Sequence, residues 1–197
     1  KIGGGQMPPQ LACGGIAFET DVLQPHLHLS VQAGDDTVLK RMARRHTRED
    51  VIRLCERTRA VRPDIVFGAD FITGFPTETE SMFKNTLDLV ETANITHLHV
   101  FPYSERLGTP AAKMPQVPVP VRKKRAARLR ETGNGLLFDY MRGRMGQTAL
   151  VLCETERRGL CEHYLPVSLD RDCAAGQIVR VRLTGTGETG VFEGSVL

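Results

Sequence analysis

His26-Leu27-His28-Leu29-Ser30-Val31-Gln32 alternates without a break between polar and apolar side chains. A period of two is the mark of a strand with two unlike faces. Leu27, Leu29 and Val31 share one face, and His26, His28, Ser30 and Gln32 share the other. Two later segments read as companion strands. Ile65–Ile72 is a mostly apolar run, as a buried strand is, and His97–Phe101 alternates again. Helical patterns lie between them. Asp36 is placed to cap a short helix through Met42. Thr47 opens a second helix, with Val51, Leu54, Cys55, Thr58 and Val61 at helical spacing and Pro63 as its stop. Thr77-Glu78-Thr79-Glu80 has capping-box spacing, and Phe83, Thr86, Leu87 and Val90 form the stripe that follows.

Strand starts about three dozen residues apart suit βαβ units, whose crossovers are almost always right-handed. The three strands are therefore expected to run parallel. Alone they make a poor closed core, so they read as part of a (β/α) barrel or of a larger open parallel sheet. In a barrel, Leu27, Leu29 and Val31 suit the helix side, and the four polar residues project inward. A packed lumen takes bulky apolar side chains, so polar ones imply a wet or ligand-filled cavity. A solvent-facing sheet edge is the plainer alternative.

The rest of the chain divides by composition. Residues 1–20, with Gly3-Gly4-Gly5 and Pro8-Pro9, show no clear period and remain unassigned. Pro110 to Pro120 is a proline-rich connector, and a basic helix follows from Val121 to Arg130, interrupted by Gly133 and Gly135. Thr148–Glu154, Tyr164–Leu169, Gln177–Thr184 and Gly190–Val196 read as short strands of a small all-β module. The net charge of +3 is uneven: residues 104–144 carry 10 basic and 3 acidic side chains. Arg122-Lys123-Lys124-Arg125 is the densest part of that stretch. It suits an anionic polymer such as RNA, or simply a solvated helix face.

Several classes drop out. No apolar run reaches the roughly 18 residues of a membrane span. The N-terminus has no signal-peptide core, and five scattered cysteines do not make a disulfide scaffold. A reducing cytoplasm is the expected compartment. There is no Gly-x-Ser-x-Gly, Walker loop, His-Glu-x-x-His or Cys-x-x-Cys. His26 and His28 share a face, but no further ligand is spaced along the chain to close a zinc site, and Cys161-Glu162-His163 is equally incomplete. Gly74-Phe75-Pro76 joins a strand end to a helix start, where ligands dock in α/β proteins, or is a tight turn. Asp70 stands on an otherwise apolar strand, where a carboxylate needs a partner. Arg44 and Arg45 are placed to meet a ligand anion, or are surface charge.

Four ordered blocks carry a resemblance: His26–Gly34, Met42–Thr47, Asp70–Thr79 and Phe101–Ala112. Together they resemble the radical S-adenosylmethionine methylthiotransferases that modify tRNA, close to the MiaB and MtaB branches. Leu29-Ser30-Val31-Gln32 and Arg44-Arg45-His46-Thr47-Arg48-Glu49-Asp50 look more like the MtaB branch, which acts on N6-threonylcarbamoyladenosine. The resemblance implies an α/β fold: residues 21–142 as the C-terminal half of a radical S-adenosylmethionine (β/α) barrel with a basic linker helix, and residues 143–197 as a TRAM-like β-barrel. It implies tRNA as partner, and S-adenosylmethionine and [4Fe-4S] clusters as cofactors of the full enzyme. Ser30, Gln32, Arg44, Asp70 and Ile72 match the strands and loop near the cofactor, with Arg44 at its carboxylate and Asp70 and Ile72 near its adenine. Arg122, Lys123, Lys124 and Arg125 would contact tRNA phosphate.

The family's Cys-x-x-x-Cys-x-x-Cys loop has no counterpart here, and thiolates are what hold such clusters. The expectation is a C-terminal piece, without radical activity alone, that pairs with a missing N-terminal half. The other reading is a non-catalytic RNA-binding module on a decayed scaffold. A half barrel also leaves an exposed lumen and an open strand edge, which invite association.

Overall fold

A computed structural model describes residues 23–187 and 190–197; the unassigned segment 1–20 lies outside the described residues. The first part is a sheet of β1 (His26–Gln32), β2 (Val66–Thr73) and β3 (Ile95–Pro102), in that order. Both pairings are parallel, as the βαβ reading requires. Helices α1 (Asp36–Arg41) and α2 (Arg48–Val61) join β1 to β2, and α3 (Glu80–Thr92) joins β2 to β3.

Polar caps fix where these helices begin. Asp35, one residue before the expected cap, accepts from the backbone of Thr37 at 2.9 Å and Val38 at 3.1 Å. Thr47 and Asp50 form a reciprocal capping box at the start of α2. The expected box from Thr77 to Glu80 does not form. Glu78 instead reaches back to the Gly74 amide at 2.8 Å and closes the loop. Thr77 takes a left-handed φ of 67°, and Thr79 becomes the cap.

One face of the sheet carries the core. Phe67, Ala69 and Phe71 of β2 are fully buried with Val31, Ile95 and Val100 of its neighbours. Cys55 of α2, and Phe83, Leu89 and Val90 of α3, pack among them. Leu27 and Leu29 lie at the edge of the same cluster, on the side their alternation assigned to helices.

The basic segment is one continuous helix, α4 (Val119–Gly143), and the glycines do not interrupt it. Gly133 is what lets it lie close. A Cβ there would come within 2.4 Å of Leu98 Cδ1, so the helix rests directly on β3. Close packing outweighs the roughly 1 kcal/mol that a mid-helix glycine costs. Arg130 donates to the Val100 carbonyl at 2.6 Å.

The second part is a closed barrel of five strands: β4 (Thr148–Thr155), β5 (Arg158–Cys161), β6 (Pro166–Leu169), β7 (Ile178–Thr186) and β8 (Phe192–Val196), ordered β4-β5-β6-β8-β7. The sequence pattern missed β5, which has four residues, one of them a glycine. Gly159 is needed there, because a Cβ would lie 2.4 Å from the Leu152 carbonyl oxygen. Val151, Val167, Val181, Leu183 and Phe192 fill the barrel. Met141 of α4 is fully buried in the same cluster, while Ala126 and Leu129 of α4 are buried in the sheet core. One helix thus serves two cores.

Candidate functional site

The other sheet face is polar, and α2, α3 and α4 all bury their apolar residues on the opposite side. Parallel sheets in globular proteins are normally covered on both faces; among the described residues, the face of His28, Asp70 and His99 has no helix packed on it. Register aligns its members: Gly68 sits between His28 and His97, Asp70 faces His99, and Ile72 faces Phe101. Asp70 has the partners its position demands. His28 Nε2 donates to Asp70 Oδ1 at 3.0 Å, and His99 Nδ1 lies 3.3 Å from the same oxygen. The rings of His28 and His99 are 4.7 Å apart. Gly68 provides the space: a Cβ there would be 2.6 Å from His28 Nδ1 and 3.2 Å from His26 Nε2. Ser30 is exposed on this face, Ile72 is half-buried, and Phe101 is exposed. Phe101 was missed as a site residue, although the alternation of His97–Phe101 puts it on one face with His99.

The loop after β1 ends the alternation. A register shift between Leu29 and Gln32 leaves one extra residue on β1, which is a β-bulge. Gln32 has a φ of 73° and is buried. It therefore does not continue the row of His28 and Ser30. The bulge is held from both sides. His46 Nε2 donates to the Val31 carbonyl at 3.0 Å, and the Gly34 amide donates to Thr86 Oγ1 at 2.9 Å. Arg44 follows a left-handed Ala43 and is exposed, its amide tied to the Leu39 carbonyl at 2.9 Å.

The Gly74 loop is filled by protein rather than left open for a ligand. A Cβ at Gly74 would meet Arg122 Cγ at 2.5 Å. Arg122 donates to the carbonyls of Val117 at 2.6 Å and Tyr103 at 3.0 Å, and to Gln116 Oε1 at 3.0 Å. Arg125 is paired with the buried Glu78 at 2.8 Å and bonds its carbonyl at 3.0 Å. Burial pushes the Glu78 carboxyl up, against the pull of the Gly74 amide and Arg125. Two of the four residues expected at tRNA phosphate are thus turned inward. Arg122 and Arg125 are each 6% exposed, and their guanidinium groups bond loop carbonyls and carboxylates that no phosphate can displace cheaply. Lys123 and Lys124 are exposed. A cleft of about 480 Å³ opens beside Lys123, between Tyr103, Glu105 and Val119.

The barrel touches the sheet at the early end of the polar face. Tyr164, at a φ of 61°, stacks on His26 with ring centroids 4.9 Å apart. His26 lies 5.1 Å from His97, and Tyr140 of α4 lies 5.9 Å from His163. Burial pushes His97 and His163 each down to about 4, and lowers His26 as well.

The described cysteines do not fit an iron–sulfur cluster. Cys55 is buried in the sheet core, and Cys153, Cys161 and Cys173 are buried in the barrel. Burial raises the thiols of Cys55, Cys153 and Cys161, the reverse of what a thiolate ligand needs. Cys13 lies outside the described residues. Among the described residues, no helix is long and apolar enough to cross a membrane.

The chain is similar to known proteins. Residues 19–90 match the radical SAM superfamily. The threonylcarbamoyladenosine tRNA methylthiotransferase MtaB of Rickettsia prowazekii is 51% identical over 173 residues, or 88% of this chain and 41% of that protein. The tRNA-2-methylthio-N(6)-dimethylallyladenosine synthase of Ruegeria pomeroyi is 45% identical over 84% of this chain and 39% of its own length. The synthase of the same name from Agrobacterium fabrum is 40% identical over 87% and 39%. The resemblance read from the sequence stands, and the chain spans about two fifths of the length of these relatives.

Proposed function

We propose that this chain supplies one wall of the S-adenosylmethionine pocket and the RNA-facing end of a tRNA methylthiotransferase. One observation carries the reading: among the described residues, the parallel sheet packs α2, α3 and α4 on one face and presents a row of polar side chains on the other. On this view Arg44 pairs with the cofactor's carboxylate, and Ser30 and the bulged Gln32 flank its ribose and methionine part. Asp70 and Ile72 lie by the adenine, with Phe101 as a further apolar surface. Bound S-adenosylmethionine would supply the radical and the methyl group in the family's reaction; the residues here bind and orient it. The described thiols cannot hold a cluster, so no radical step is assigned to them. The cluster-bearing remainder of the same enzyme would close the barrel over the bare face.

The five-stranded barrel is read as TRAM-like, with the boundary between residues 142 and 143. Lys123 and Lys124 would be the phosphate contacts, and the substrate would be a tRNA, with a cytoplasmic protein as the corollary of this reading. By analogy with the Rickettsia relative, the modified base would be N6-threonylcarbamoyladenosine.

Calorimetry with S-adenosylmethionine tests the pocket. Binding is expected, and it should be lost in a Gln32→Ala, Arg44→Ala double variant that keeps its circular dichroism. No binding, together with salt-sensitive tRNA affinity that falls in Lys123→Ala, Lys124→Ala, would favour the second reading. That reading is a non-catalytic RNA-binding module, and the burial of every described cysteine speaks for it.

A further inference from the structure

We propose that His28, Asp70 and His99 form a three-ligand site for a divalent transition-metal ion of the zinc class. The site goes beyond the cofactor reading, with which it shares Asp70, and is argued from its own geometry. Sequence spacing alone offers only His26 and His28, two residues apart on one strand. The fold supplies the missing ligands from the neighbouring strands, one each from β2 and β3.

Distances support an ion between the three groups. His28 Nε2 and His99 Nδ1 lie 3.0 Å and 3.3 Å from Asp70 Oδ1. All three donor atoms fall within 4.8 Å of one another. Zinc binds histidine nitrogen and carboxylate oxygen at about 2.0–2.1 Å, which sets tetrahedral ligands about 3.3 Å apart. Two of the three donor separations therefore already match the edges of such a tetrahedron. Two imidazoles and one carboxylate also form a donor set suited to zinc, iron or cobalt rather than calcium or magnesium. The fourth position opens onto the bare face, as it does in zinc sites that bind water or substrate. Gly68 keeps the space beneath His28 free of a side chain that would push its ring away.

A second group, Cys161, Glu162 and His163, also has its donors within 4.8 Å. It is the poorer site. Glu162 is engaged by the Leu150 amide at 2.8 Å and by Arg144 at 3.7 Å. Cys161 and His163 are closed inside the protein, at 5% and 3% exposure.

The test is a cobalt(II) titration of the full chain, free of any histidine tag and without S-adenosylmethionine, followed by zinc competition. One equivalent should bind, with the intense visible bands of tetrahedral cobalt. Losing an outer-shell partner commonly costs 10–100-fold in metal affinity, so losing a ligand should cost at least about 100-fold. That drop is expected in His28→Ala and His99→Ala. Asp70→Asn is the second route should either histidine variant fail to fold, because it keeps the side chain's size. Titrations unchanged in these variants would overturn the proposal. So would a thiolate-to-cobalt band that disappears in Cys161→Ser, or the absence of stoichiometric binding, which would leave a hydrogen-bonded triad only. S-adenosylmethionine binding is measured separately, so failure of the cofactor reading would not be mistaken for failure of this one.

Discussion

The sheet and the barrel solve the same problem in opposite ways. The barrel closes on itself, so every strand has two neighbours and its polar side chains face outward around a dry centre. Among the described residues, the sheet has three strands and packs helices on one face. Its other face holds His28, Asp70 and His99, which satisfy one another rather than a core. Closure is what an independently stable small domain needs. An open face is costly to keep and is expected where a ligand or a partner covers it.

The contrast can be broken most strongly on the helix side of the sheet. Arg125→Ala leaves the buried Glu78 carboxylate without its cation and with the Gly74 amide still bonded to it; breaking such a buried pair typically costs about 3–5 kcal/mol. Chemical denaturation should show that loss, and a change under about 1 kcal/mol would mean the pair does not hold the Gly74 loop. Next comes the junction. His163 is held neutral by burial, with a pKa near 4. Its folded value is depressed, so the stability it confers is present above about 6.5 and lost as the pH falls toward 4. The loss is on the order of 2–3 kcal/mol, and a His163→Phe variant should flatten that part of the acid limb. An unchanged limb would count against it. Thr47→Ala removes a capping box and should cost about 1 kcal/mol, read as a small drop in Tm without a change in the denaturation slope. The smallest effect belongs to the bare face. His99 has a side chain 61% exposed, and His99→Ala should move stability by less than about 0.5 kcal/mol. A larger loss would show that the polar row is packing after all.

What the sequence revealed follows the same division. Strict alternation at His26–Val31 and the apolar run at β2 report directly on which face is buried, and so the parallel sheet was legible. Caps moved by one or two residues because neighbouring polar groups compete: Asp35 with Asp36, and Thr79 with Thr77 once Glu78 turns back. α4 looked shorter than it is, because a glycine signals a break locally while Gly133 is there to admit Leu98. Charge counting could not tell Arg122 and Arg125 from Lys123 and Lys124, since the two classes differ in direction and not in composition. Asp70 was suspect from its setting, but its partners come from strands about 30 to 40 residues away, and pairing at that range depends on register.

α4 carries one further consequence. Its 25 residues are rooted by Leu129 under the sheet and by Met141 under the barrel, and a helix of that length is a stiff rod of roughly 37 Å. It therefore acts as a ruler, fixing how far the closed barrel lies from the histidine row. A single inserted residue between the two anchor points would swing one end by about 100° against the other, so length here is as much a specification as any side chain.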